Sequence, residues 1–313
     1  MSEAPSVEKP AALRREARLP SPVQRVLYVL EYALFRAIMA VFWALGLEVA
    51  SKFGGWVART FGPKIPVSRR ARRNMARALP ELDEAAREKA IADMWENLGR
   101  TFAEYPHLDK IWGIKPGARI EIVGLDRAEA EVAKGKGAIF VSGHCGNWET
   151  MPGVIADYGL KGTLVYRAPN NPYVDAWISA RRQSRLPIVA AKGADGARMI
   201  LKTLKEGRLL AMLIDQKLND GIPVPFFGRD AMTAPAAAHL SLRHGAPIIF
   251  GWCTRLPNCH FRVSVDEVIQ PQPTGNHVKD VYDLTLRLNQ ALEAHIRREP
   301  WNWLWLHNRW PKN

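Results

Sequence analysis

Cysteine is scarce in this chain: among 313 residues there are three, Cys145, Cys253 and Cys259. They are too few and too irregularly spaced for a disulfide framework or a four-ligand metal site, and their scarcity suits a reducing compartment. Cys253, Cys259 and His260 bring too few ligands together for a metal, and Asn258-Cys259 reads as a hairpin turn. The sequence has no Gly-x-x-x-x-Gly-Lys loop, no Gly-x-Gly-x-x-Gly after a first strand and no His-Glu-x-x-His. Nucleotide-dependent chemistry therefore has no support. A Gly-x-Ser-x-Gly nucleophile elbow is also missing.

Acidic residues are outnumbered, 31 against 44 Lys and Arg, leaving a net charge of +13 and a pI near 9.9. Such a surface seeks a polyanion, either nucleic acid or an anionic membrane and its lipids. Eleven Trp residues favour the membrane interface, where amphipathic rings settle. Long apolar runs are lacking too. Residues 23–53 are the most apolar stretch, but Arg25, Glu31, Arg36, Glu48 and Lys52 interrupt it, and its longest charge-free piece is 37–47. That piece is short of the ~20 residues a bilayer span requires. The segment reads as a tilted, half-inserted helix whose charges snorkel to the headgroups, with Trp43 and Trp56 near the interface. The alternative is an ordinary buried helix. Ahead of it, residues 1–22 read as a disordered basic tail without the apolar centre of a secretory signal.

What is present centres on residues 137–153, Gly-Ala-Ile-Phe-Val-Ser-Gly-His-Cys-Gly-Asn-Trp-Glu-Thr-Met-Pro-Gly. An apolar run, a Ser-Gly break and then His144, Gly146, Asn147 and Glu149 read as strand, tight loop and helix start. Five positions apart on one helix, His144 and Glu149 would face away from each other. With the strand ending at His144 and the helix starting near Asn147, a loop brings them together, and Glu149 would orient the imidazole so that Nε2 serves as a base. In that reading Asn147 is the N-cap and Glu149 lies in the first turn.

Residues 67–77 carry Arg69, Arg70, Arg72, Arg73 and Arg77, a solvated face with a second use in attracting anionic lipid. Residues 81–105 form one amphipathic helix. From residue 119 the pattern alternates, with strands at 119–123, 138–141, 162–166 and 209–214 and helices at 126–134 and 150–158. Strands at 247–253 and 261–265 pair as an antiparallel edge, and a last helix covers 278–298. The chain therefore reads as α/β, a mostly parallel sheet covered by helices, and the strand ends at His144, Arg167 and Asp215 meet in one cleft. Three regions follow: tail 1–22, membrane-associated helical segment 23–66 and α/β domain 67–313. Arg167 is a fork for phosphate or carboxylate. Asp215 either holds Arg167 or caps its own loop. Residues 221–228, Gly-Ile-Pro-Val-Pro-Phe-Phe-Gly, read as an acyl-chain wall or as core.

Gly-His-Cys-Gly-Asn-Trp-Glu resembles the His-x-x-x-x-Asp/Glu motif of glycerolipid-type acyltransferases, and more narrowly the lauroyl/myristoyl acyltransferases of lipid A biosynthesis. The likeness extends over about 25–310. It takes in Val165-Tyr166-Arg167 with Asn171-Pro172, Ile214-Asp215-Gln216, Pro225-Phe226-Phe227-Gly228 and the Trp-rich end, although Asn308 stands where the family more usually has Arg. The resemblance implies a glycerolipid-acyltransferase-like fold and a cytoplasmic-face, inner-membrane enzyme needing no cofactor. It would move a fatty acyl chain from acyl-carrier-protein to a hydroxyl of a phosphorylated lipid A precursor. His144 and Glu149 would be catalytic, with Arg167, Asp215, Gln216 and Asn147 on the substrate side and Cys145 a small filler. Nucleic acid is not an expected partner. Two rivals stay open, a hydrolase using the same pair and a non-catalytic protein docking anionic membranes.

Overall fold

A computed structural model describes residues 21–113, 117–190 and 194–310. The tail read over 1–22 lies outside the described residues except for Ser21, whose side chain accepts the Gln24 N–H, and Pro22, the first residue of helix α1.

The central strands of the main sheet are apolar runs, whereas the strands at Ile120–Val123 and His260–Ile269 alternate apolar with polar residues. β2 (Ala138–Ser142) has every residue buried, as a strand covered on both faces must. It lies mid-sheet between β5 (Leu209–Leu213) and β8 (Ile248–Leu256). Beyond β5 come β3 (Gly162–Tyr166) and β4 (Ile188–Ala190), all parallel to β2. On the other side β9 (His260–Ile269) returns antiparallel to β8, and β1 (Ile120–Val123) runs parallel to β9. The order β1-β9-β8-β2-β5-β3-β4 is thus the expected mostly parallel sheet. The β8–β9 turn has Asn258 and Cys259 both at φ 56°, the left-handed pair of a tight hairpin.

Three-residue β4 was not foreseen, nor was the separate hairpin of β6 (Lys217–Phe226) and β7 (Arg229–Thr233). The stretch 221–228 belongs to that hairpin. Phe226 and Phe227 are buried, Phe226 stacked on Trp310 and edge-on to Trp303 and Phe227 tilted against Trp305, so in this structure they are core.

The apolar segment 23–53 is two helices, not one. α1 (Pro22–Leu45) stops at Gly46, and α2 (Leu47–Phe61) turns back along α4 (Glu84–Glu104). A Cβ on Gly99 would lie 2.2 Å from the Gly54 carbonyl oxygen, so α2 and α4 touch backbone to backbone. Helix length, rather than charge-free length, sets the reach of α1: 24 residues at 1.5 Å rise span about 36 Å, and it is the one described helix long and apolar enough to cross a membrane. Tyr28, Tyr32, Phe35, Met39 and Phe42 form its inner stripe, with Phe35 edge-on to Phe102 and to Trp177 of α8 (Pro172–Gln183). Its outer face leaves Val26, Leu27, Leu30, Leu34 and Val41 exposed, and α2 adds Phe53 and Trp56. α3 (Ser68–Ala78) carries the arginine run, and α11 (His277–Arg298) covers the β6–β7 hairpin.

Candidate active site

β2 and β5 pair in register to their last residues, Ser142 beside Leu213. The residues that follow, Gly143-His144 and Ile214-Asp215, therefore emerge side by side at one sheet edge. His144 Nδ1 donates to Asp215 Oδ1 at 2.8 Å across 71 positions of sequence. Asp215 Oδ2 accepts the His144 backbone N–H at 2.9 Å and Trp303 Nε1–H at 2.8 Å. Asp215 is fully buried, while His144 keeps 17% of its side chain accessible. Burial alone would raise the Asp215 carboxyl, but the His144 ring beside it, its hydrogen bonds and His307 outweigh this and hold it far below the ordinary carboxylate range. The carboxylate thus fixes the tautomer: Nδ1 carries the proton and Nε2 offers its lone pair to the outside.

The loop that presents His144 is held from below. Gly146 adopts φ +54°, and a Cβ there would lie 2.6 Å from the Cys253 carbonyl oxygen, so only glycine lets the loop lie on β8. Asn302 Oδ1 accepts the Gly146 N–H, and the Gly146 carbonyl accepts from Asn97 and Thr101 of α4. Asn147, expected at the substrate, is instead fully buried: its Nδ2 donates to Glu104 at 2.7 Å and its Oδ1 accepts the Glu149 N–H. Glu104 is in turn ion-paired with Arg255 at 2.5 Å. Helix α7 (Thr150–Asp157) starts where the element reading 150–158 has it, but with Glu149 rather than Asn147 at the N-cap position and no side-chain cap.

The expected His144–Glu149 contact does not form. Glu149 points the other way and takes a two-pronged ion pair from Arg182, Nε at 2.9 Å and Nη2 at 2.5 Å, while Arg182 also reaches the Tyr105 hydroxyl. Burial opposes ionisation of Glu149, yet Arg182 keeps its pKa below the ordinary value. The physical reason is reach: the loop turns at Gly146, and once Asp215 fills Nδ1 the remaining local carboxylate goes to the nearest buried guanidinium. Arg182, on α8, is thus a largely buried ion-pair partner of Glu149.

Asp215 does not hold Arg167 either, being spent on His144 and Trp303. Arg167 is exposed, with no hydrogen bond among the described residues. Gln216 Nε2 lies 3.3 Å from His144 Nε2 and 3.2 Å from His307 Nε2. The His307 and His144 ring centroids are 5.3 Å apart, and the Trp148 ring stands edge-on to His144 at 5.2 Å. Burial pushes His307 down to about 4, with Arg167 and Arg70 assisting and Asp215 opposing. Neither His307 nor Trp303 was anticipated. The available signal was the segment 301–310, too aromatic to be a solvated end and thus bound to pack somewhere. Cys145 is buried, its thiol pushed well above the ordinary value by burial, and it accepts the Cys253 N–H.

A histidine with Nδ1 held by a buried carboxylate and Nε2 meeting the Gln216 amide at 3.3 Å has the geometry of a general base, the class of site that can take a proton from a hydroxyl or a water that the protein itself does not supply. Sequence comparison agrees in kind. The chain belongs to the bacterial lipid A biosynthesis acyltransferase family, whose profile matches residues 22–312. It is similar to the phosphatidylinositol mannoside acyltransferase of Mycobacterium tuberculosis, 25% identical over 63% of each chain, so the match spans under two thirds of that relative. It is also similar to the lipid A biosynthesis palmitoleoyltransferase of Escherichia coli K12, 25% identical over 76% of this chain and 77% of the relative. The phosphatidylinositol mannoside acyltransferase of Mycolicibacterium smegmatis is 21% identical over 88% of each.

Proposed function

We propose that this protein transfers a fatty acyl chain from an acyl-carrier-protein thioester to a hydroxyl of a phosphorylated lipid A precursor, at the cytoplasmic face of an inner membrane. The observation that carries the chemistry is the 2.8 Å His144–Asp215 contact, which leaves Nε2 facing outward with only the longer Gln216 contact on it among the described residues. The acceptor hydroxyl gives its proton to Nε2 as its oxygen attacks the thioester carbonyl. Asp215 steadies the imidazolium, and the tetrahedral intermediate collapses with the C–S bond breaking and the proton passing from His144 to the departing thiolate. No acyl-enzyme is required, because the nucleophile belongs to the acceptor. Family membership and the relatives' names support a lipid acceptor. The direct assay supplies acyl-carrier-protein thioesters of several chain lengths together with the lipid precursor. Acylated lipid is the expected product; free fatty acid without acceptor would indicate a hydrolase, and no turnover a docking protein.

Arg167, exposed and without a hydrogen-bond partner among the described residues, lies close enough to His307 for its charge to act on that ring, and it suits the acceptor's phosphate. Arg167→Ala is expected to raise KM for the phosphorylated lipid about tenfold, the cost of one solvent-exposed charge-assisted contact, with kcat little changed. Lys should restore this only in part, since it lacks the fork. Wild-type kinetics toward the lipid would place Arg167 outside the site.

Membrane attachment is supported by the unpartnered outer face of α1. Asn171 donates to Glu31 and to the Tyr28 carbonyl, and Tyr173 meets Tyr32 at 5.7 Å, so α8 is tied along the inner stripe of α1. A perpendicular span would carry α8 and its charges into the hydrocarbon, whereas a helix lying in one leaflet keeps them in water. Arg69, Arg73 and Arg77 are exposed and add attraction to anionic lipid. Leu30→Glu with Leu34→Glu, both on the outer face, should weaken binding to anionic vesicles by roughly 100-fold or more while leaving the melting temperature unchanged. Undiminished flotation with vesicles would refute this attachment.

A further inference from the structure

Gln216 stands between two imidazoles, and the arrangement dictates which way its amide faces. His144 has committed its Nδ1 proton to Asp215, so its Nε2 is an acceptor. His307 stays neutral because burial, assisted by the charges of Arg167 and Arg70, disfavours protonation, with Asp215 pulling the other way. An amide nitrogen with two N–H groups satisfies two such lone pairs, at 3.3 and 3.2 Å; an amide oxygen turned to the same place would meet the His144 lone pair. His307 is itself clamped in position. Asn74 of α3 donates to the carbonyls of His307 at 2.9 Å and Trp305 at 3.1 Å, and Arg70 donates to Leu306 at 3.0 Å.

Binding of the acceptor changes this triangle in one way. Its hydroxyl must take the lone pair of His144 Nε2, which displaces Gln216 from its longer contact and frees one N–H, while the other remains on His307. That freed N–H lies beside the nitrogen that grips the attacking oxygen. In the tetrahedral intermediate the attacking oxygen and the oxyanion sit on the same carbon, so a base and an oxyanion donor must be neighbours in this manner. We propose that Gln216 donates the hydrogen bond that stabilises the oxyanion, and that His307 is the positioning residue that keeps the amide nitrogen turned inward. As the hydroxyl oxygen bonds to the carbonyl carbon, its proton goes to His144 and the carbonyl π pair moves to the oxygen held by Gln216. On collapse that pair re-forms the carbonyl, the C–S bond breaks and His144 returns the proton to sulfur. This assignment rests on the acyl-transfer reading of the site.

The test uses the full chain in anionic vesicles with lauroyl-acyl-carrier-protein and the phosphorylated lipid A precursor. Gln216→Met keeps volume and removes the N–H groups; Gln216→Glu keeps shape and removes them too. Both are expected to lose about 100- to 1000-fold in kcat, the typical cost of one oxyanion donor, with KM for either substrate near the wild-type value. A lauroyl phosphonate, a tetrahedral anion, should bind Gln216→Met more weakly by a comparable factor. His307→Phe should lower kcat with KM unmoved, and His307→Gln, whose Oε1 reaches the place of the lost Nε2, should recover most of it. Gln216 variants with kcat within about threefold of wild type, or with the loss confined to KM, would overturn the assignment. His144→Ala in the same assay separates the levels. If His144→Ala is inactive and Gln216→Met active, only the oxyanion role fails; if His144→Ala transfers normally, the acyl-transfer reading of this site fails with it.

Discussion

His144→Ala is expected to fold like the wild type and to transfer no measurable acyl chain. The side chain sits at the open edge of the site, and Asp215 keeps two donors on Oδ2, the His144 backbone N–H and Trp303 Nε1–H. Stability therefore changes little while the imidazole proposed to take the hydroxyl proton is gone. Asp215→Asn is the sharper variant. An amide in that place cannot anchor Nδ1–H as the carboxylate does, and the wrong tautomer turns a proton rather than a lone pair toward the acceptor. A comparable carboxylate-to-amide change in serine proteases costs roughly 10⁴ in kcat, and a loss on that order is expected here with KM preserved. Single-turnover transfer by each variant, alongside its thermal melt, decides the matter. Near wild-type rates in either would remove the pair from the mechanism.

Breaking the Glu149–Arg182 pair should instead be read out in stability. Glu149 is 2% exposed and Arg182 14%. Removing the carboxylate strands a guanidinium away from water, and loss of one partner from a buried pair costs about 3–5 kcal/mol. Glu149→Ala should therefore shift the denaturant midpoint strongly. A double variant replacing both by apolar residues of similar size should regain most of the loss, because the desolvation penalty disappears with the charges. If Glu149→Gln were as stable as wild type but as inactive as His144→Ala, the carboxylate would be acting on the imidazole after all.

His144 was legible because its signal is local: an apolar run, a Ser-Gly break, then a polar cluster. Its partner was not. The acid five positions away was the only candidate that spacing offered, whereas the observed contact depends on β5 lying directly beside β2 although β3 and β4 come between them in the chain. Strand order is a property of the assembled sheet, and no periodicity encodes it. The short strands β2, β3 and β5 were found to within a residue, whereas β8 and β9 run three and four residues past the ends read for them. β4, three residues long, and β6, interrupted by Pro223 and Pro225, gave no readable strand pattern. In the membrane-seeking segment, counting residues between charges hid the helix α1, because a helix can turn Glu31 and Arg36 toward protein partners, Asn171 and Tyr32, while its other face stays apolar.

The loop carrying His144 is bridged to Trp303, and its His144 carbonyl accepts the Leu304 N–H. Asn302, Trp303 and His307 all come from a segment more than 150 positions downstream of that loop. During synthesis the sheet edge bearing His144 and Asp215 leaves the ribosome well before these residues do, so the nascent chain can assemble its core while Asp215 still lacks its indole donor and Gln216 its second imidazole. Acyl-transfer competence should then appear late and abruptly as the chain grows, after the fold and after α1 has already met the bilayer. A polypeptide released before Asn302 would occupy the membrane without an organised base, which gives quality-control proteases an unbraced loop to recognise.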